Sequence, residues 1–218
     1  LSVNQLNVYL QALLPGVCLQ AQALPQCPEM SLYLINPDYP QHALAPEAVM
    51  QLMDEPPYWA FCWASGQVLA RYILDHPHLV AGRHIADFGS GSGVVGIAAA
   101  LAGATRVSCI DIDPLAQLAI ASNAQLNRVE VETASSIATS DVITAADVLY
   151  DRENLPLLSH LMAVAPQILL ADSRIRNLSI EPFRPLGEYR SSTWPDLAES
   201  AEFNRVRLYA VGLMAKPA

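Results

Sequence analysis

A chain of 218 residues has the length of one domain with a modest extension, and at 52% hydrophobic residues it can fill one sizeable core and carries no signature of disorder. Its net charge of −9, with 12 basic against 21 acidic residues, argues against a nucleic-acid backbone as partner and is compatible with a basic protein surface or a lysine. No apolar run reaches the length of a membrane span, no signal peptide is recognisable, and Cys18, Cys27, Cys62 and Cys109 lack C-x-x-C spacing, so reduced thiols, a cytoplasmic setting and no bound metal are expected.

Leu6, Leu10, Leu13 and Leu14 share one face at helical spacing, which predicts an amphipathic helix over residues 2–14, closed by Pro15-Gly16. Residues 17–57 are rich in proline, with a short strand expected at Ser31 to Ile35 and a helix from Pro46 to Met53. Residues 1–56 read as an N-terminal cap, too short for a core of their own. The cluster Pro56-Pro57-Tyr58-Trp59-Ala60-Phe61-Cys62-Trp63 precedes a helix from Gly66 to His76. Each aromatic there has two readings, core packing or a wall for a cationic ligand.

From residue 84 the pattern turns regular. Strand 84–88, helix 94–102, strand 106–110, helix 115–127 and strand 129–132 follow in order. A fourth strand falls within 141–151 with no clear boundary, then come helix 153–164, strand 167–171, and a final antiparallel pair through Tyr189 and residues 206–211. The alternation predicts an α/β fold over 57–218: a Rossmann-like, seven-stranded, mostly parallel sheet with helices on both faces and the N-terminal helical cap. Its ligand belongs at the carboxyl ends of the strands, where Asp87, Asp111, Asp147 and Asp172 fall. Taken singly, each is equally a turn or helix cap.

The stretch Asp87-Phe88-Gly89-Ser90-Gly91-Ser92-Gly93 reads as strand, glycine turn and helix start, and Asp111 follows Gly91 by twenty residues, the place of a ribose-binding carboxylate. Gly91, Gly93 and Gly96 also satisfy G-x-G-x-x-G, the dinucleotide fingerprint. Asp87 is the discriminator. Facing the ligand two residues before the first glycine, it would repel a pyrophosphate but suit S-adenosylmethionine, which has no phosphate and carries an ammonium and a sulfonium.

The block Pro57 to Tyr72, followed by Asp75-His76-Pro77, resembles seven-β-strand methyltransferases of the electron transfer flavoprotein β-subunit lysine methyltransferase family and its bacterial relatives, often labelled nicotinamide N-methyltransferase-like. The similarity continues through the glycine turn, Asp111-Ile112-Asp113-Pro114 and Asn123 to Asn127. The resemblance implies S-adenosylmethionine as cofactor, with contacts at Trp63, Gly66, Asp87, Gly89, Ser90, Gly91, Gly93, Asp111 and Ile112. It implies a motif Asp-x-Phe-Tyr facing the transferred methyl, here Asp147-Val148-Leu149-Tyr150, which makes Asp147 and Tyr150 the candidate catalytic residues. Asp172-Ser173-Arg174 stands where Asp-Pro-Gly-Arg is usual. The acceptor implied is an exposed lysine of a protein, such as the electron transfer flavoprotein β subunit. A small amine, a dinucleotide-dependent oxidoreductase and a non-catalytic cofactor-binding partner are the alternatives.

Overall fold

The computed structural model describes residues 2–39, 56–149, 154–175, 178–197 and 199–212. The helix expected from Pro46 to Met53 lies outside the described residues. Helix α1 (Ser2–Leu13) buries Leu6 and Leu10 completely, and a hairpin follows, β1 (Leu19–Ala23) antiparallel to β2 (Ser31–Ile35). A single turn at Tyr58–Ala60 leads into α2 (Ala64–Asp75), whose first residue follows Trp63 in extended backbone. Then come β3 (His84–Phe88), α3 (Val94–Leu101), β4 (Arg106–Ile110), α4 (Pro114–Leu126), β5 (Glu132–Ala134), β6 (Val142–Ala146), α5 (Pro156–Val164), β7 (Gln167–Asp172), β8 (Arg184–Arg190) and β9 (Arg205–Val211).

Among the described residues the main sheet has seven strands in the order β5-β4-β3-β6-β7-β9-β8, with β9 antiparallel to both its neighbours and the rest parallel. The apolar runs explain its centre. Residues 85–87 of β3, 142–145 of β6 and 168–172 of β7 are all buried, as strands covered on both faces must be. Edge strand β8 is exposed almost throughout, and its register shifts between Pro185 and Gly187, a break that blunts pairing with another chain.

Crossovers run one way from β3 to β4 and β5 and the other way to β6, so the strand order reverses between β3 and β6. That is where an open α/β sheet leaves a crevice for a ligand. The third strand differs from the expected 129–132. Arg128 takes φ 58°, and the N–H of Val129 donates back to Ala124 O, so these residues close α4 and the strand starts at Glu132. The N-terminal elements pack on α4: Tyr33 N donates to Asn123 Oδ1 at 2.7 Å and Ser31 N to Asn127 Oδ1 at 3.0 Å.

Candidate active site

The glycine turn sits at the order reversal and is pinned to β4, since the N–H groups of Gly89 and Ser90 both donate to Ile110 O. Gly91 (φ 52°) has nothing within 4 Å of where a Cβ would stand, so it faces open space and lets a ligand reach the backbone. Gly93 caps α3 in the left-handed region, at φ 82°. Gly96 and Gly66 serve close packing. A Cβ on Gly96 would stand 2.3 Å from Cys109 Sγ, and one on Gly66 would stand 2.9 Å from Val94 Cγ1, where α2 meets α3. Gly66 therefore seats one helix against the other.

Asp87 is not where the charge argument put it. Expected to face the ligand, it is 2% exposed and turned inward. Its Oδ2 accepts from Ser90 Oγ at 2.8 Å and Gly96 N at 3.1 Å, and its Oδ1 accepts from Thr144 Oγ1 at 2.8 Å. The physical reason is that three donors from the turn, α3 and β6 converge under the turn and need one acceptor there. Burial pushes this carboxyl up to about 6, against the pull of those donors. Asp87 braces the turn from below.

Asp111 does lie at the crevice. Its Oδ2 accepts from Gly91 N at 2.8 Å and its Oδ1 from Asp113 N at 3.0 Å, which ties the end of β4 to the open glycine. A carboxylate has about four acceptor sites, so two remain for hydroxyls. Next to it Ile112 is 86% exposed, an apolar side chain left in solvent beside the turn. On the other flank Trp63 donates its indole N–H to Tyr58 O at 3.0 Å and packs edge-on against the Tyr58 ring, with centroids 5.7 Å apart. Trp63 is half-buried and leads into the helix that carries Gly66.

Asp147 follows β6 directly, in the left-handed region at φ 53°. Ser65 Oγ (2.7 Å), Ser173 Oγ (2.8 Å) and Ser173 N (3.0 Å) all donate to its Oδ1. Among the described residues no donor to Oδ2 is found. Ser65 and Ser173, like Thr144 under Asp87, were invisible as site residues in the sequence, because a serine has no signature until its partner is placed. Asp172 closes β7 but is 1% exposed. Its Oδ1 caps the N–H groups of Arg174 and Ile175, and burial, with the charge of Asp147 added, raises its pKa. Of the four strand-end carboxylates, Asp111 and Asp147 are half-buried and Asp87 and Asp172 are buried. Tyr150 lies outside the described residues.

The sheet order, the open glycine turn and the carboxylate at the end of β4 define the α/β methyltransferase fold. Magnesium protoporphyrin IX methyltransferase from Synechocystis PCC 6803, solved with bound SAH, superposes with a TM-score of 0.50 at 16% identity over 67% of this chain and 82% of that one. The family model for ribosomal protein L11 methyltransferase (PrmA) matches residues 69–155. The electron transfer flavoprotein beta subunit lysine methyltransferase of Xenopus laevis is 32% identical over 189 residues, 79% of this chain and 76% of that protein. The human protein of the same name is 39% identical over 104 residues, 44% of this chain and only 40% of its own length. The chain belongs to the electron transfer flavoprotein β subunit lysine methyltransferase family.

Proposed function

We propose that this protein transfers a methyl group from S-adenosylmethionine to the ε-amine of a protein lysine, with the electron transfer flavoprotein β subunit as the first acceptor to try. One observation carries the reading: Asp111, bonded to the open Gly91, and Asp147, with one oxygen unclaimed by the described residues, flank the point where the strand order reverses. The cofactor supplies an electrophilic methyl on a sulfonium with a good thioether leaving group. Gly91, Asp111 and Ile112 fit its nucleoside half: open backbone, two spare acceptor sites for ribose hydroxyls, and an exposed apolar face for the base. Trp63 offers an aromatic face to the cation.

The protein's own task is to bring nucleophile and methyl into line. A lysine enters charged, with a free pKa of about 10.4, and must lose a proton. Removing it from water favours the neutral amine, whereas a carboxylate alone favours the ammonium. Asp147 is therefore cast as a hydrogen-bond acceptor that orients the amine and not as a strong base. Its Oδ1 is held by two serines, so its Oδ2 is presented without rotamer freedom. Tyr150 is proposed to help orient the amine.

The test is transfer of labelled methyl from S-adenosylmethionine into purified electron transfer flavoprotein β subunit, read by mass spectrometry on its lysines. Methylated lysine supports the reading. Label found only in small molecules, after incubation with a lysate, replaces the protein acceptor with a small amine. No transfer despite cofactor binding leaves a binding protein without chemistry.

A further inference from the structure

Ser173 has two neighbours at the end of β7. On one side it holds Asp147 through its N–H and Oγ, and on the other it lines a cavity of about 390 Å³. Arg174, Arg205 and Arg207 line the same cavity with Phe203, which places three of the chain's 12 basic residues around one hollow of a molecule with net charge −9. The hollow lies at the sheet edge that carries Asp147. β9 runs antiparallel to β7 with Arg207 paired to Asp172, so the first residues of β9 come level with the carboxyl end of β7.

Two of the three guanidinium groups are held in place. Arg174 lies 3.7 Å over the Phe203 ring, and its Nη2 donates to Glu199 at 2.8 Å, whose other oxygen accepts from Thr193 Oγ1. Arg207 is held by Glu188 at 2.9 Å and by Ile175 O. Arg205 is exposed and makes no ion pair among the described residues. Glu202 is the one carboxylate in the lining, and with Glu199 on Arg174 and Glu188 on Arg207 the charges balance, so Arg205 is the guanidinium left to meet an incoming anion. A planar, always-charged guanidinium is suited to a carboxylate.

We infer that this cavity is a substrate subsite for the side-chain carboxylate of an aspartate or glutamate that flanks the acceptor lysine in the substrate polypeptide. The inference rests on the methyltransferase reading above and specifies its substrate. An acidic chain repels acidic peptides in general, so one guanidinium without an ion pair among the described residues, in a hollow that shares Ser173 with the acceptor-orienting Asp147, selects where an acidic neighbour is tolerated.

The experiment uses synthetic peptides with a single lysine, in pairs that carry Glu or Gln at each position within about three residues of it, a span set by ~3.3 Å of extended chain per residue. Two readouts are taken, methyl transfer from labelled S-adenosylmethionine and the arginine Nε–Hε resonances, with wild type and Arg205→Gln. At one offset the Glu peptide should show roughly tenfold higher kcat/KM than its Gln twin, about the size of one charge-assisted contact. That ratio should fall toward one in Arg205→Gln and in high salt. Equal kcat/KM in every pair, with methyl transfer proceeding, overturns the subsite and leaves the methyltransferase reading standing. Glu-dependent arginine shifts without transfer to any peptide keep the subsite and sink lysine methylation of such peptides. Silence in both readouts overturns the subsite.

Discussion

Asp87 and Asp147 show how two aspartates at strand ends come to different uses. Asp87 is buried with three donors around it, and its folded-state pKa of about 6 lies above that of an aspartate in an unfolded chain. The neutral form is thus favoured by folding, and the contribution is fully present below the unfolded pKa and lost as pH rises through about 6. Asp87→Asn removes this dependence and keeps the contacts, because the Thr144 hydroxyl can turn from donor to acceptor. Urea unfolding at about pH 4.5 and about pH 7.5 should show wild type losing about 2 kcal/mol relative to Asp87→Asn over that interval; a constant difference would remove Asp87 as a titrating brace. For Asp147, Asn tolerates a left-handed backbone and its Oδ1 can still accept from both serines. Asp147→Asn then places an N–H₂ where Oδ2 is proposed to meet the amine, and kcat should fall roughly 10- to 100-fold while S-adenosylmethionine affinity stays within about twofold. A matching loss of cofactor affinity would move Asp147 out of the acceptor site. Ser173 bears on the same point. Where the family pattern has proline after the aspartate at Asp172, Ser173 supplies both an N–H and a hydroxyl to Asp147, and proline has neither. The departure that clouds the acceptor in the sequence is a hydrogen-bonded brace in the structure.

At the scale of elements, α3 packs on β3 and β4 with Gly96 set over Cys109, where no Cβ fits. Gly96→Ala places a methyl 2.3 Å from the thiol and disturbs the N–H that reaches Asp87, so thermal unfolding should drop by several degrees, as for an overpacking cost of about 1–3 kcal/mol. Adding Cys109→Ala to it should recover part of that loss, and a double variant no more stable than Gly96→Ala alone would refute the contact. The elements were legible in proportion to their burial. Strands β3 and β4 were read to the residue because buried apolar runs between turn signals leave one solution. The start of β5 was missed because three residues after α4 are taken up by its closure, which alternation does not reveal. β1, Leu-Gln-Ala-Gln-Ala, has little strand propensity and exists by pairing with β2, and most of β8 was missed because an exposed edge strand has no apolar face to announce it.

For the whole molecule, the N-terminal segment and the site are joined through one side chain. Asn123, fully buried on α4, accepts from Tyr33 N of β2 and donates to Ser92 O of the glycine turn at 2.8 Å, so the hairpin and the turn share a post. The sheet order and the crevice follow from the βαβ pattern, which is why the fold was legible. The division of the four aspartates was not, because which way a strand-end carboxylate turns depends on donors from three separate elements. The central claim is that the turn and Asp111 seat a sulfonium nucleoside and not a pyrophosphate. Titration calorimetry with S-adenosylmethionine and with NAD, on wild type and Asp111→Ala, tests it most directly. The account predicts saturable S-adenosylmethionine binding, at least about tenfold weaker in Asp111→Ala, as when a charge-assisted hydrogen bond is lost, and no NAD binding. Tighter binding of NAD, or S-adenosylmethionine affinity untouched by loss of Asp111, would contradict it.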